Sequence, residues 1–446
     1  MADSIQAPSN RVFLSNGEQD IDRLSDLPDA VLCHILSFLP TKISVATSVL
    51  SKRWTNLWRT VPALSFSSTE FTDGFIDHVY KVLAMFQTQT IYQFTLHFEP
   101  TPTVDALHIY PWILTALERN VQKLNLNFGT TPGQLVRLPS PIFACETLVC
   151  LKLFDATLMD IPANVCLPSL KILQAERVYY PNEGCFTRLL SGSPILEELI
   201  IQKSRDNVLV LDVNVPSLKR ITVKRPSSQI GFYKLLIKAP MLETIKLFGL
   251  ISCDIRVGDL SNLVEATVHI DIPYNEGVIV LFKEIGNIMF LSLSDYTFMS
   301  MCFQQPFPKF CNLVKLEITT CCEFWHVLVA LLRSVNNLMA LLFHINVPSY
   351  HKGRKCDNSL PMIAPRCVSA SLETLKVTGV CKQKCSWKFV RYVLKNAEVL
   401  KEMKIWTSLS LKNRSSRLKN LLEYPRASAA CEIDFFLDSS AQDFHL

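Results

Sequence analysis

Apolar residues along most of this chain follow one recurring pattern: an apolar residue, two variable residues, an apolar residue, one variable residue and an apolar residue. Clear copies read LVCLKL, LKRITV, LETIKL, LVKLEI and LETLKV. This alternation predicts a short strand with one buried face. The copies begin at Ile91, Val121, Leu148, Leu170, Leu196, Leu218, Leu242, Leu263, Ile288, Leu313, Leu338, Leu372 and Leu400.

Successive copies begin 21 to 34 residues apart, and most of the intervals lie between 21 and 28 residues. Repeats of this length are typical of leucine-rich repeats, in which each unit supplies one strand and a looser return segment. The pattern therefore predicts an α/β fold, a horseshoe-shaped leucine-rich-repeat solenoid with parallel strands on its concave face. The longest interval, from Leu338 to Leu372, predicts a loop insertion at residues 349–361.

A different pattern precedes the repeats. Apolar residues at helical spacing predict a first helix that begins after Pro28 and stops at Pro40. Thr41 is placed to cap a second helix, and Ser51 is placed to cap a third, short helix that carries Trp54. Three short helices in about 40 residues bury little surface, so this module is expected to need a partner.

Length and charge are compatible with an elongated repeat protein. A chain of 446 residues is too long to fold around one hydrophobic core of ordinary size. Its 49% hydrophobic content with only 13 glycines predicts that most of it folds. The net charge of +5 does not indicate nucleic-acid binding. Residues 386–426 contain ten lysines or arginines and three glutamates, which we interpret as a solvated helix face, with an acidic partner or nucleic acid as the alternative.

Cysteine usage and hydropathy bear on the compartment. Fifteen cysteines are scattered through the chain, and an odd number of this kind favours reduced thiols over disulfides. Residues 1–10 lack the pattern of a secretory signal. The most apolar stretch, residues 327–347, is interrupted by Arg333, Asn336 and Asn337, so it falls short of the roughly 20 residues of a membrane span. We expect a soluble intracellular protein of the nucleus, the cytoplasm or both, without membrane contact.

The N-terminal module carries a family resemblance. Its sequence contains LPD, ILSFLP and SVLSKRWTNLW between Leu24 and Trp58, and it resembles the F-box motif of plant F-box proteins. The resemblance implies docking onto a Skp-type adaptor of an SCF-type cullin/RING ubiquitin ligase. The contacts that it implies are Leu27, Pro28, Ile35, Leu36, Leu39, Pro40, Val49, Leu50, Trp54 and Trp58. For each residue, packing within the module or on the next domain is the alternative.

The resemblance extends through the rest of the chain. SGSPILEEL and LPSLKIL are similar to segments of plant F-box proteins with leucine-rich repeats, and SLETLKVTG, WKFVRYVLKNAEVLKEMKIW and LEYPRASAACEIDF resemble the FBD region. The chain is thus identified as a member of the plant F-box/FBD/leucine-rich-repeat family. We predict a flexible tail at 1–20, the F-box at 21–66, repeats at 85–360, an FBD region and cap at 361–436 with a helix at 386–396, and a tail at 437–446.

The concave face of the predicted solenoid is the candidate target-binding surface. Variable residues within each copy alternate with the buried ones and therefore point outward from this face. Basic and aromatic side chains among them are suited to contact a protein. The candidates are Lys152, Phe154, Arg220, Lys224, Lys246, Phe248, His269 and Trp406. A solvated sheet face without a ligand is the alternative.

Catalytic and metal-binding motifs are not found in the sequence. It has no glycine-rich phosphate loop, no nucleophile elbow and no HExxH helix. Cys381 with Cys385, and Cys321 and Cys322 with His326, lack the second half of a zinc site. We therefore predict no catalytic residue, no metal and no cofactor.

The predicted function is recognition of a target protein for ubiquitination, with no nucleic acid as partner. The chain would bring the target close to a ubiquitin-charged enzyme, so that proximity supplies the rate. Cys33 lies beside His34, but both residues belong to the docking helix, and a thiol ligase mechanism is not expected. A repeat scaffold that binds partners without ligase function is the alternative, and small-molecule sensing at the concave face is a third, weaker hypothesis.

Overall fold

The structure is a computed structural model of the 446-residue chain. It describes residues 24, 26–71, 73–98, 106–129, 135–155, 157–203, 210–226, 234–250, 254–272, 276–301, 307–321, 324–345, 360, 362–380, 384–407 and 419–437. The predicted tail at 1–20 lies outside these residues. So do the loop at 349–361, apart from Leu360, and the tail at 437–446, apart from Leu437.

Twenty strands lie in the described residues, and fifteen of them form a single sheet. The strands are β1 (Ala63–Ser67), β2 (Gln93–His97), β3 (Lys123–Asn127), β4 (Val136–Arg137), β5 (Cys150–Phe154), β6 (Thr157–Leu158), β7 (Ile172–Val178), β8 (Glu198–Lys203), β9 (Val210–Asn214), β10 (Arg220–Arg225), β11 (Lys234–Lys238), β12 (Thr244–Gly249), β13 (Asp254–Val257), β14 (Glu265–Ile270), β15 (Phe290–Leu293), β16 (Lys315–Thr320), β17 (Ala340–Ile345), β18 (Thr374–Val380), β19 (Glu402–Thr407) and β20 (Glu432–Leu437). The sheet follows chain order from β1 to β20 and omits β4, β6, β9, β11 and β13.

Neighbouring strands of this sheet are parallel, and equivalent positions of successive repeats pair with each other. Leu124 pairs with Leu151, which pairs with Leu173, and the same register continues along the sheet. All thirteen predicted repeat starts are buried, with at most 2% of each side chain exposed. The structure therefore confirms an α/β leucine-rich-repeat solenoid with parallel strands.

Helices return the chain across the buried face of the sheet in several repeats. They are α3 (Phe75–Met85), α4 (Ile109–Glu118), α5 (Glu183–Ser191), α6 (Glu276–Glu284), α7 (Asp295–Met301), α8 (Trp325–Arg333), α9 (Arg366–Ala370) and α10 (Lys384–Asn396). Strands β9, β11 and β13 instead form a second parallel sheet of three strands between α5 and α6. The return segments are therefore more regular in these repeats than the sequence pattern predicts.

A continuous hydrophobic core runs under the sheet from Trp58 to Cys431. It contains the fully buried Trp112, Trp325 and Phe389. The opposite face of the sheet, which we call the open face, presents the alternate residues of each strand, and most of these side chains are half-buried.

The N-terminal module begins with α1 (Asp29–Leu36) and α2 (Thr41–Ala46). Pro40, not Thr41, precedes the first turn of α2, so the predicted cap is wrong; the Thr41 hydroxyl instead accepts a hydrogen bond from the Ser65 N–H of β1 at 2.7 Å. The predicted third helix is wrong at Trp54, although Leu57 and Trp58, which it was also expected to carry, do lie in a 3₁₀ helix. Trp54 lies in a series of turns, and the chain continues as a 3₁₀ helix at Leu57–Thr60, because a segment this short cannot sustain a regular helix while turning its large side chains inward.

The sheet extends beyond the predicted repeats at both ends. β1 begins inside the range predicted for the F-box, because Val61, Leu64 and Phe66 already repeat the apolar pattern at the end of that range. β20 follows Ala430, where the other copies begin with a large aliphatic residue, and that substitution hides it from a pattern search. Helix α10 begins at Lys384, two residues before the predicted start.

Candidate adaptor-docking and target-binding surfaces

The N-terminal module has a small core of its own. Leu32 and Leu36 of α1 pack with Trp54, Leu57 and Val61 in a cluster that is separate from the main core. A hydrogen bond within the module joins α2 to α1. The Ser44 hydroxyl donates to the carbonyl oxygen of Leu36 at 3.1 Å.

An ion pair joins the third segment of the module to its first helix. The Arg53 guanidinium binds the Asp29 carboxylate at 2.6 Å, and it also donates to the carbonyl oxygen of Leu27. Both charged side chains are substantially exposed, so the pair orients the segment more than it stabilises it.

The module is joined directly to the first repeats. Trp58 belongs to the main core, with 5% of its surface exposed. Backbone hydrogen bonds continue the connection: the Gln87 N–H donates to Arg59 at 3.0 Å, and the Tyr92 N–H donates to Pro62 at 2.8 Å. The Thr41 contact with β1 occupies the edge of the first strand, which would otherwise offer an unpaired N–H group to solvent.

Several large apolar side chains lie on the outer surface of the module. Val49 is 87% exposed, Phe38 75% and Leu50 63%. Val31, Ile35 and Ile43 are also exposed. Large exposed apolar side chains grouped on one small module are typical of a protein-binding surface.

Burial divides the ten residues predicted to contact the adaptor. Pro28, Ile35, Val49 and Leu50 are exposed, and Leu27, Leu39 and Pro40 are half-buried. Leu36, Trp54 and Trp58 are buried, so for them the alternative of packing within the chain holds in this structure. Phe38, the most exposed aromatic side chain of the module, was not among the predicted contacts, although it stands in the ILSFLP motif between the inward-facing Leu36 and Leu39.

The open face brings most of the predicted target-binding residues together. The register aligns Lys152 with Lys246 in one row across β5, β7, β8, β10 and β12. A second row aligns Phe154, Lys224, Phe248 and His269.

Two predicted target-binding residues stand apart from these rows. Arg220 lies at the start of β10, beside the first row. Trp406 lies five strands beyond His269 and stacks on Phe436 of β20, with ring centroids 4.9 Å apart.

Acidic neighbours compensate the basic residues of the open face. Arg220 binds Glu198 at 3.0 Å, and Lys246 binds Glu265 at 3.1 Å. Lys224 binds Glu176 at 3.4 Å. The face is therefore a mixed polar and aromatic surface without a strong field of one sign.

A group of histidines lies further along the open face. The His269 Nε2 atom is 2.8 Å from the Ser292 hydroxyl, and His344 lies between the Glu317 carboxylate at 3.2 Å and the Thr378 hydroxyl at 2.5 Å. The hydrogen bond from His344 lowers the pKa of Glu317 from its ordinary value, although partial burial opposes the shift. His344 was not among the predicted target-binding residues, although its open-face position follows from the copy that begins at Leu338.

Within the described residues, no group of three histidine, cysteine, aspartate or glutamate side chains is arranged to hold a metal ion. No helix in those ranges is both long and apolar enough to cross a membrane. Cys322 and Cys381, which belong to the cysteine sets that the sequence does not complete as zinc sites, lie outside the described residues. The Cys33 thiol packs near the Thr60 hydroxyl at 3.3 Å.

A small helical module with an exposed apolar surface, joined to a long leucine-rich-repeat sheet, is the architecture of an F-box protein with leucine-rich repeats. Family comparisons agree: the chain matches the F-box domain at residues 24–65, the LRR repeats described for FBD-associated F-box protein At5g56370 at 109–265, and the FBD domain at 362–405.

Similar proteins span nearly the whole chain. FBD-associated F-box protein At1g66310 of Arabidopsis thaliana is 31% identical over 96% of this chain and 99% of its own length. F-box/FBD/LRR-repeat protein At4g26340 of the same plant is 32% identical over 93% of this chain and 100% of its own length. The chain belongs to the plant F-box/FBD/LRR-repeat family. At the level of this family, the role is that of a substrate adaptor in SCF-type ubiquitin ligases, and such proteins are generally non-catalytic.

Proposed function

We propose that this chain is the substrate-recognition subunit of an SCF-type ubiquitin ligase, and that its N-terminal module binds a Skp-type adaptor through an apolar surface formed by Ile35, Phe38, Val49 and Leu50. The exposure of these four side chains is the observation that carries the proposal. Burial of a fully exposed side chain of this kind contributes roughly 1.5–3 kcal/mol, and the contribution is smaller for Ile35, which is only 39% exposed. A partner that covers all four side chains therefore gains affinity mainly from Phe38, Val49 and Leu50. We also propose that the protein acts in the nucleus, the cytoplasm or both.

The buried residues of the motif have a different task in this proposal. Leu36, Trp54 and Trp58 hold the module together and attach it to the repeats, so they position the adaptor surface and do not form it. A rigid attachment is useful in a ligase, because it keeps a bound target at a constant distance from the ubiquitin-charged enzyme.

The repeats hold the target in this proposal. The rows of Lys152, Phe154, Lys224, Lys246 and Phe248 form one contiguous part of the open face. Half-buried aromatic side chains between polar groups are suited to a protein partner. His269, Arg220 and Trp406 are further contacts on the same face.

Adaptor docking is tested by co-purification. We expect Val49→Lys together with Leu50→Lys to weaken adaptor binding by about 100-fold, because each change places a charge where an apolar contact is buried. The readout is the amount of a co-expressed Skp-type adaptor that purifies with the tagged chain. Both side chains are exposed in the free chain, so the melting temperature should stay close to that of the wild type.

A matched control carries the same charges elsewhere. Val280→Lys together with Leu422→Lys alters two exposed apolar residues outside the module, and it should retain the adaptor. Equal adaptor recovery with both double variants would count against docking through this surface and favour a repeat scaffold without ligase function. Substitution of Leu36 or Trp54 would not discriminate, because loss of either buried side chain disrupts the module itself.

A further inference from the structure

A continuous ladder of residues marks the point where the chain enters each strand of the sheet. Each member donates its backbone N–H to the equivalent residue of the preceding repeat, as Met289 does to Val264 at 2.9 Å and Met339 does to Val314 at 2.8 Å. We call it the strand-start ladder. Its members are Tyr92, Gln122, Val149, Lys171, Glu197, Lys219, Glu243, Val264, Met289, Val314, Met339, Glu373 and Lys401.

Charged members of the ladder compensate each other. Lys171 and Lys219 both bind Glu197, each at 3.2 Å. After a gap of five repeats, which hold Glu243 and four apolar members, Lys401 binds Glu373 at 2.8 Å. In these charged repeats, the strand-start position holds lysines and glutamates that alternate along the ladder and are at least partly exposed to solvent.

Four consecutive repeats depart from this arrangement. Val264 is 44% exposed, Met289 49% and Met339 44%, and Val314 between them is half-buried. We call these four residues the apolar stripe. Because the neighbouring repeats fill the same position with charge, four adjacent apolar residues form a patch and not a scatter of isolated side chains.

A row of exposed asparagines runs beside the apolar stripe. Asn262, Asn287, Asn312 and Asn337 each stand two residues before a member of the stripe, at a constant spacing of 25 residues. The Asn262 amide donates to the carbonyl oxygen of Pro240 at 2.8 Å, so it also braces the preceding turn. An asparagine side-chain amide both donates and accepts hydrogen bonds, so it can bind the C=O and the N–H of a peptide group.

The size of the stripe suits a short extended segment. Strands lie about 4.8 Å apart, so four adjacent members span about 14 Å. Extended chain advances about 3.3 Å per residue and covers this distance in about four residues. Alternate side chains of such a segment would face the stripe, while its peptide groups would lie near the asparagine row.

Charge at the ends of the stripe restricts the occupant. Glu243 precedes the stripe and is exposed, and Glu373, whose half-buried carboxylate also pairs with Lys401 on its far side, follows it. A second copy related by a twofold axis would place Glu243 of one chain against Glu373 of the other. Lys219 and Lys401 would meet in the same way, so like charges oppose this self-association. A segment with basic residues at both ends is instead complementary.

We propose that the apolar stripe binds an extended segment of a partner protein that is apolar at its centre and basic at its ends. The inference deepens the proposed function, since it rests on the repeats holding a target, but it does not depend on adaptor docking. It adds the strand-start side of the sheet to the target-binding surface.

The test uses fluorescein-labelled peptides and fluorescence anisotropy with the purified full-length chain. The probe is the hexapeptide KIVLVK, and its controls are KSTSTK, which keeps the charges, and EIVLVE, which reverses them. We expect KIVLVK to bind more tightly than either control. Met289→Lys together with Met339→Lys should weaken KIVLVK binding about ten-fold or more, because it places two positive charges in the contact.

A single-site control and a second readout keep the result unambiguous. Met85→Lys changes an equally exposed methionine on α3 and should leave KIVLVK binding unchanged. Adaptor co-purification is measured on the same samples and should persist in the Met289→Lys, Met339→Lys variant, so failure here is distinct from failure of the proposed adaptor docking.

Three outcomes would overturn the inference. One is that KIVLVK binds the wild type and the Met289→Lys, Met339→Lys variant equally well, or that it binds neither of them. Another is equal affinity for KIVLVK and KSTSTK, which would leave only a charge effect. The third is a concentration-dependent dimer in sedimentation experiments that the double variant dissolves, because the stripe would then be a self-association surface.

Discussion

Neighbouring residues of the F-box motif differ in burial: some pack into the core of the module and others are exposed to solvent. Ile35 and Leu36 are neighbours in α1, yet Ile35 is 39% exposed and Leu36 only 1%. The reason is the helical repeat of 3.6 residues, which turns adjacent side chains about 100° apart. Residue type alone therefore does not separate an adaptor contact from a core residue, and variants must be chosen by burial.

Gly249 at the end of β12 illustrates a residue fixed by its backbone. Its φ is +85°, and an added Cβ would lie 1.7 Å from the carbonyl oxygen of Arg225 on the neighbouring strand. We expect Gly249→Ala to lower the free energy of unfolding by at least about 2 kcal/mol, because both the conformation and the close approach require glycine. Urea denaturation followed by circular dichroism measures the change.

Gly258 provides the control for this substitution. The nearest atom to its added Cβ, the carbonyl oxygen of Ile237, is at an ordinary distance of 3.6 Å. Gly258→Ala should change the free energy of unfolding by no more than about 0.5 kcal/mol. If both alanine variants unfold at the same urea concentration, the steric account of Gly249 is wrong.

The Glu317 carboxylate links stability to pH. Its pKa lies below the ordinary value of 4.5 because His344 donates a hydrogen bond to it. A lowered pKa contributes stability at pH values above the unfolded-state pKa, and this contribution disappears as pH falls through the folded-state pKa. We expect Glu317→Gln to cost about 1–2 kcal/mol near pH 7 and progressively less as the pH falls below about 4.5.

Urea denaturation of the wild type and the Glu317→Gln variant over this pH range measures the difference. Glu284 is an exposed glutamate on α6, and Glu284→Gln serves as the charge-matched control with little effect at any pH. A wild-type advantage that stays constant down to about pH 3.5 would show that the carboxylate charge is not its source.

At the scale of elements, strands are the constant part of each repeat and return segments are the variable part. Equivalent strand positions pair in register across the sheet, whereas the returns include α-helices, 3₁₀ turns and the second sheet of β9, β11 and β13. The strand must present apolar residues at fixed intervals to join its neighbours, but any return that covers the core is acceptable. This difference explains why the strands were predictable and the returns were not.

Helix α10 shows how the FBD region is attached. Phe389 is fully buried and contacts the rings of Phe343 in β17 and Trp325 in α8, with centroids 4.6 and 5.8 Å apart. We expect Phe389→Ala to lower the free energy of unfolding by about 3–5 kcal/mol, since it leaves a cavity between the helix and the sheet. The measurement is again urea denaturation.

Lys388 is the adjacent control because its side chain is exposed on the same helix. Lys388→Ala should remain within about 0.5 kcal/mol of the wild type. A small effect of Phe389→Ala would mean that the FBD region is loosely attached and does not share the core of the repeats.

At the scale of the whole molecule, one sheet and one core connect the F-box module to the FBD region. Thr41 contacts the edge of β1, Trp58 enters the main core, and Cys431 closes that core just before β20. The F-box is therefore packed against the repeats and is not carried on a free linker. In a ligase this arrangement fixes the direction in which a bound target is presented.

The sequence by itself determined the repeat fold, since apolar residues at strand spacing in units of 21 to 34 residues can be buried together only by stacking the units. It also determined the family, through motifs that survive at about one-third identity. Both conclusions depend only on the order of residues along short stretches of the chain, which the sequence gives directly.

Only the tertiary structure decided which apolar residues remain exposed. It buried Leu36, Trp54 and Trp58, left Phe38, Val49 and Leu50 on the surface, and aligned Val264, Met289 and Met339 into one stripe. Residues 25 positions apart become neighbours through strand pairing, and burial depends on everything that packs around a side chain. Neither property can be read from the residue or its local pattern, because both arise from contacts between distant parts of the chain.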